Sequence, residues 1–505
     1  MEFSGAWGGD EGPTGKSGCL TLLFENGGIS VVSTADIARP LVNQALNYLS
    51  RDPVGNMPKM LSLAERIAVK ESHKAQVRDV SKVLLDNDSN WRELAIRVIS
   101  DTNPHVLKTL VNNFFVNASL LGVPKQYKIA EEIGAQVPFA ILMDPTEKCN
   151  LRCTGCWAGD YQRVRELDYD VMDRVCREAE ELGIYLIVVS GGEPTVVKDK
   201  LLKLAETHPN QIFHPFTNGT LFDEEFIREM VRVGNIVPAI SVEGLEEQTD
   251  ARRGKGVYGK ILHTMDMLRE AGIPFGFSSC YARNNAEIIA SDEFIDTMVY
   301  KGCSFGWLFT YVPVGSDPNL ELMATPEQRK MMYEAVRHFR STKPVFLVDF
   351  WNDGEYSLGC IAGGRRYLHI NANGDVEPCA FIHYALDNIN EKSLKDALTS
   401  PLMKAYQSRQ PFNHNMLRPC PLIDNPEKLV EIINESGARS TELGDHHVET
   451  AKLAEKIQAE YTDKWAPVAE DIWESEAHPF HDRAQGFAQK EQAEKKQRQT
   501  RRTAR

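Results

Sequence analysis

The strongest constraint on this chain is a rhythm between residues 137 and 345, where short apolar runs alternate with amphipathic stretches. The runs at 138–143, 185–189, 212–216, 237–242, 274–280 and 305–311 read as buried strands, and 170–183, 198–208, 224–233, 259–271 and 292–301 as helices between them. Six strands with intervening helices argue for a parallel α/β sheet, open or closed into a partial barrel. In such folds ligands sit at the carboxyl ends of the strands. The conspicuous polar motifs of the chain fall there.

On both sides the rhythm breaks, as expected for a chain of 505 residues that exceeds one ordinary core. Residues 34–136 repeat apolar positions at helical spacing (Leu61, Ile67; Leu107, Leu110, Val111, Phe114), which predicts a helical N-terminal domain. Its stretch 104–124 is unusually apolar. That suits a helix packed on its own domain, or alternatively a surface meeting a greasy substrate or a membrane interface. Residues 346–426 read as a small glycine-rich, cysteine-bearing module and 427–476 as C-terminal helices. The leader 1–33 and the basic tail 477–505 are expected to be disordered. In the leader, Gly15-Lys16-Ser17 invites comparison with a phosphate-binding loop, but Asp10 stands where that motif requires glycine.

The formal charge of −14 argues against nucleic-acid binding through the phosphate backbone. Nothing at the N-terminus resembles a secretion signal, and no apolar run reaches about 18 residues without charges. A cytoplasmic location is therefore expected. There the ten cysteines are better suited to metal or redox chemistry than to disulfides.

Three of them are Cys149, Cys153 and Cys156, on one loop after the first strand. Thiolates are soft ligands for iron–sulfur clusters, zinc or copper. Three on one loop hold three corners of a metal site and leave the fourth open, whereas closed structural sites carry four protein ligands. Ser190-Gly191-Gly192-Glu193-Pro194 then ends the second strand, Thr217-Asn218-Gly219-Thr220 the third and Ser241-Val242-Glu243-Gly244 the fourth. In this order the motifs resemble those of the radical S-adenosylmethionine (radical SAM) enzymes, over residues 137–345. The resemblance implies a partial (β/α)6 TIM-like barrel in which Cys149, Cys153 and Cys156 hold a [4Fe-4S] cluster. It also implies that S-adenosylmethionine binds the open iron and is reductively cleaved to a 5′-deoxyadenosyl radical, which abstracts a hydrogen atom from the substrate. Reduced flavodoxin or ferredoxin would supply the electron. By the same match, Gly191, Gly192 and Glu193 would meet the methionine ammonium, and Asn218, Ser241 and Glu243 the ribose and carboxylate. Arg253, in Asp250-Ala-Arg-Arg-Gly254, would lie near the cofactor carboxylate, or else form a surface salt bridge. One departure stands out: the aromatic residue usual before the third cysteine is Gly155 here, and Trp157 follows instead, so a ring over the adenine or cluster is expected from Trp157.

A second trio is Cys360, Cys379 and Cys420, and the segment Cys360-x13-Gly374-x4-Cys379 is similar to the opening half of the SPASM domain. The full SPASM pattern has four further closely spaced cysteines where this chain has only Cys420. The resemblance implies one auxiliary iron–sulfur cluster in a shortened, twitch-like module, with zinc the alternative occupant. Cys280 is a weak candidate hydrogen-atom donor and Asp353 and Glu355, with Asp349, weak candidate proton acceptors before Cys360; Trp307, Tyr311 and Trp351 are candidates to line the same space. By family analogy the substrate is a peptide or protein. The alternatives are a radical SAM enzyme of lipid or cofactor biosynthesis, acting on a lipid or small molecule, and a non-enzymatic zinc-binding scaffold.

Overall fold

The computed structural model of the chain describes residues 21–25, 28–32, 34–67, 71–158, 164–315, 318–442, 450–475 and 478. The Gly15-Lys16-Ser17 motif and the basic tail, His478 apart, lie outside them. Within the segment read as a leader, β1 (Thr21–Glu25) pairs antiparallel with β2 (Gly28–Val32).

The core is a single open sheet. Its first six strands are those that the apolar runs predict: β3 (Ala140–Met143), β4 (Leu186–Val189), β5 (Ile212–Thr217), β6 (Ala239–Ser241), β7 (Gly276–Tyr281) and β8 (Phe305–Thr310). They lie side by side in chain order and parallel, and the sheet does not close, so the architecture is a partial barrel. Helices such as Tyr169–Glu181, Lys198–Thr207 and Val257–Glu270 cover the outside, burying Val175, Leu204 and Ile261 in the common core.

The sheet extends beyond six strands at both edges. After helix Pro326–Thr342, β9 (Phe346–Asp349) adds in parallel to β8. β10 (Tyr367–Ile370) adds in parallel to β3, and β11 (Val376–Glu377) turns back antiparallel to β10. The segment carrying Cys360 and Cys379 is thus built onto the barrel's first strand. Its loops face the same strand ends as the Cys149 loop.

The N-terminal helices pack on the opposite end of the strands. Arg97 donates to the carbonyls of Val299, Cys303 and Pro344 at 3.0, 2.9 and 2.7 Å, and Asn90 to those of Arg340 and Lys343 at 3.0 and 2.6 Å. The apolar stretch runs as one continuous helix, Pro104–Ile133, with π-type turns over Asn112–Gly122. By length and composition it could cross a membrane, but 44% of its most apolar window is buried inside the protein. Buried Asn113 and Asn117 bond carbonyls of residues 209–211 ahead of β5, and Phe114 meets Phe139 edge-on at 6.3 Å. The other face leaves Phe115 and Leu120 at 59% and 50% exposure. One side therefore packs on the barrel while the other is open.

At the far end, Pro426–Ser436 and Asp463–Ser475 cover the cysteine-bearing segment. A fully buried Arg329–Asp424 pair at 2.6 Å ties them to helix Pro326–Thr342. Arg329 also donates to Asn352, to Tyr461 Oη and to the carbonyls of Trp351 and Leu417. A buried cation with this many acceptors offsets its desolvation, and losing one partner would strand the rest.

Candidate functional site

Both cysteine trios line one cavity of about 890 Å³ that runs through the barrel, from the carboxyl ends of the strands, where the cysteines lie, to Asn90 and Trp91 of the N-terminal helices. Cys149, Cys153 and Cys156 are on one wall and Cys360, Cys379 and Cys420 on another. The glycine-rich turn 190–193, Asn218, Ser241, Glu243 and Arg253 also line it. The strand-end order read from the sequence thus brings these groups into one chamber.

The Cys149 loop is pinned on two sides. Towards β4, the Gly192 and Glu193 amides donate to the carbonyls of Thr146 and Lys148 at 2.9 and 2.8 Å. Only glycine fits at 192: a Cβ there would stand 2.3 Å from the Lys148 carbonyl oxygen. Towards β6, helix Glu246–Arg253 holds the loop, with Arg252 donating to the Thr154 carbonyl at 3.1 Å and the Gly155 carbonyl at 3.3 Å. Arg253 reaches to 4.0 Å from Cys153 Sγ.

Two carboxylates assigned to cofactor contact are occupied within the protein. Glu193 accepts from the Asn218 amide at 2.7 Å, Thr217 Oγ1 at 2.6 Å, the Thr195 amide at 3.0 Å and Thr195 Oγ1. Burial pushes its carboxyl up while these donors oppose the shift. Glu243 is fully buried between Arg252 at 2.8 Å and Arg253 at 2.5 and 3.0 Å, and accepts from the Cys280 amide at 3.1 Å. Burial works against its ionisation, but the two guanidiniums outweigh it and hold the carboxyl below its usual range. Glu193 thus braces the Asn218 turn, and Glu243 the Arg252–Arg253 pair. Asn218 itself donates to Asn150 Oδ1 at 2.9 Å, one residue from Cys149.

Gly155 has a physical reason for its identity. Its φ is +65°, and a Cβ would meet Tyr311 Cε2 at 2.7 Å. The Tyr311 ring, just past the end of β8, fills the space beside Gly155. Trp157 lines the cavity beside the cysteine loop and meets His369 at 5.9 Å and Phe381 at 5.7 Å between ring centroids. It packs against the cysteine-bearing segment.

His369 was not singled out by the sequence, and it joins the two halves of the chamber. Its Nε2 lies 2.9 Å from Asp144 Oδ2 and its Nδ1 2.7 Å from Glu377 Oε2, all buried. Asp144 in turn accepts from Ser190 Oγ at 3.1 Å. Burial disfavours the imidazolium, but Asp144 and then Glu377 more than compensate, raising the pKa to about 10.

The thiols fit iron–sulfur ligation in kind and setting. Burial pushes Cys149 up to about 11 and Cys379 up to about 12, so as free thiols they are neutral, whereas a coordinated thiol is deprotonated outright. Tyr367 Oη lies 2.8 Å from Cys379 Sγ and Tyr406 Oη 3.3 Å from Cys360 Sγ. Such hydrogen bonds to sulfur tune a cluster's potential. Among the described residues, no group of three His, Cys, Asp or Glu side chains is arranged to hold a single metal ion.

The candidate hydrogen-atom donor and proton acceptors differ in their access to the cavity. Cys280 lines the cavity, its thiol pushed up by burial with Arg252 opposing. Asp353 lines it too, with Oδ1 on Arg340 at 2.9 Å and Oδ2 on the Asp349 amide at 2.7 Å. Glu355 is paired with Arg337 at 2.5 Å and His478 at 3.0 Å. Trp307, Tyr311 and Trp351 are on the cavity wall.

Comparison with known proteins accords with this geometry. The radical SAM superfamily model matches residues 143–289 and the SPASM model, an iron–sulfur cluster-binding domain, matches 360–421. The chain is 25% identical to the PqqA peptide cyclase of Granulibacter bethesdensis over 262 residues, 48% of this chain and 67% of that protein. It is 30% identical to the Fe-coproporphyrin III synthase of Methanosarcina barkeri over 154 residues, 30% of this chain and 38% of that protein. Among solved structures, Streptococcus suis SuiB bound to S-adenosylmethionine superposes with a TM-score of 0.50 at 16% identity, covering 66% of this chain and 88% of that one. At that identity the likeness speaks for the fold alone.

Proposed function

Because this chain is a radical S-adenosylmethionine enzyme with a SPASM domain, we propose that it abstracts a hydrogen atom from a residue of a peptide held in the barrel cavity. The shared chamber of the two cysteine trios supports this most directly. Cys149, Cys153 and Cys156 would hold the [4Fe-4S] cluster that, with S-adenosylmethionine and one electron from reduced flavodoxin or ferredoxin, supplies the 5′-deoxyadenosyl radical. Gly191 and Gly192 leave the strand-end backbone bare for close approach. Arg252 and Arg253, clamped by Glu243, fix the cysteine loop and place positive charge beside Cys153. Cys360, Cys379 and Cys420 would hold the auxiliary cluster across the cavity, with Tyr367 and Tyr406 hydroxyls on two of the sulfurs. The cavity walls are mostly apolar.

A zinc scaffold does not fit, since the second trio belongs to an iron–sulfur cluster-binding domain. The peptide reading is supported by the PqqA peptide cyclase, which acts on a peptide by its name; the Fe-coproporphyrin III synthase match favours a cofactor precursor as the second reading. Extracts of the source organism grown in deuterated medium separate the two. Deuterium should appear in 5′-deoxyadenosine with the peptide fraction and vanish after protease treatment. Protease-resistant transfer from the small-molecule fraction would refute a peptide substrate.

A further inference from the structure

Part of the cavity wall is unused by the cysteine loops. Below the strand ends it is formed by alternate, inward-facing residues: His214 and Phe216 of β5, Trp307 and Phe309 of β8, and Phe350 with Trp351 just after β9. His214 is buried among the rings of Phe216, Phe305 and Trp307, at 5.1, 5.5 and 5.8 Å between centroids. Its Nδ1 lies 2.6 Å from the Val237 carbonyl oxygen. A carbonyl only accepts, so Nδ1 carries the proton and Nε2 is left as an acceptor. That Nε2 is buried and has no partner. Two donors on the same wall are in the same condition, Trp307 Nε1 and Trp351 Nε1, and Trp351 is only 5% exposed. Buried polar atoms are nearly always satisfied, so three orphans carried by residues that line one cavity call for a partner there.

We propose that this wall is the substrate's anchoring subsite and that it takes a neutral, largely apolar group carrying one hydroxyl, which donates to His214 Nε2 and accepts from an indole Nε1. The proposal rests on reading the cavity as the substrate chamber. The aromatic rings supply stacking area, and the His214 and Trp307 rings are neighbours, with centroids 5.8 Å apart. An anion is disfavoured. It would lose its hydration against apolar rings and face the imidazole lone pair rather than a cation. Burial keeps that imidazole neutral, with its pKa pushed down to about 4.

The test uses fluorinated fragments and 19F NMR on the anaerobically reconstituted enzyme with S-adenosylmethionine and without reductant. The probes are 4-fluorophenol, fluorobenzene and 4-fluorobenzoate. Two added neutral hydrogen bonds predict that 4-fluorophenol binds about 30-fold more tightly than fluorobenzene, with 4-fluorobenzoate weakest. His214→Phe should cut that preference to about fivefold, the indole bond alone, while His214→Gln, which keeps an acceptor, retains it in full. Equal binding of phenol and benzene by the wild type, benzoate as the tightest ligand, or an unchanged preference in His214→Phe would overturn the proposal. The two readings fail separately: the fragment ranking needs no turnover, and 5′-deoxyadenosine formation in the same preparation reports the radical chemistry alone.

Discussion

Replacing His369 by leucine should destabilise this protein more than most single changes. The side chain is 2% exposed and sits between Asp144 at 2.9 Å, 8% exposed, and Glu377 at 2.7 Å, 1% exposed. Leucine keeps the volume but leaves both carboxylates buried without their cation, a loss of about 3–5 kcal/mol for a broken buried pair. Proton linkage gives an independent figure. With a folded pKa of about 10 and an unfolded value of about 6.5, the imidazolium contributes roughly 4 kcal/mol at pH 7. The folded pKa is raised, so this contribution is complete below the unfolded pKa and is lost as pH rises through the folded one. Urea titration of the anaerobic holoprotein, followed by near-ultraviolet circular dichroism, should show the largest gap between wild type and variant at pH 6. The gap should narrow steadily towards pH 10. Equal stability at pH 6, or a gap that widens with pH, would refute the reasoning.

Three further outcomes follow from the same geometry. Cys360→Ala, Cys379→Ala and Cys420→Ala together should remove roughly four irons per chain, one cluster's complement, as counted by iron and sulfide assay. Gly192→Ala should lower cluster occupancy at the Cys149 loop by more than half, read from the dithionite-bleachable absorbance, because its Cβ would stand 2.3 Å from the Lys148 carbonyl oxygen. Glu243→Leu leaves Arg252 and Arg253 buried without their carboxylate, and should cost about 3–5 kcal/mol by the same urea titration.

How far the sequence foretold this site depended on how local each signal was. Cys149 to Cys156, the turns at 190–193 and 217–220, and the six apolar runs are contiguous features, legible because strand periodicity and turn chemistry act over a few residues. What could not be read was non-local pairing. β9 and β10 are four-residue strands inside segments that lack the alternating rhythm, and β10 joins the sheet through pairing with β3. His369 meets Asp144 across 225 positions, and Arg329 meets Asp424 across 95. Gly155 was visible as a departure, but its explanation, the Tyr311 ring, lies at the end of another strand. Glu193 and Glu243 were picked out as polar groups at the right strand ends, but their distant partners, Thr217 and Asn218 for Glu193 and Arg252, Arg253 and Cys280 for Glu243, appear only once the strands are side by side. A histidine within an apolar run, as at 214, was the available signal for the aromatic wall.

The central claim is that the Cys149 loop starts the chemistry. Its most direct test is reductive cleavage of S-adenosylmethionine by the anaerobically reconstituted protein with dithionite, measured as 5′-deoxyadenosine by mass spectrometry. The wild type should form it, and a variant with Cys149, Cys153 and Cys156 all changed to alanine should form none while keeping the iron of the second trio. Equal 5′-deoxyadenosine from that variant would contradict the account.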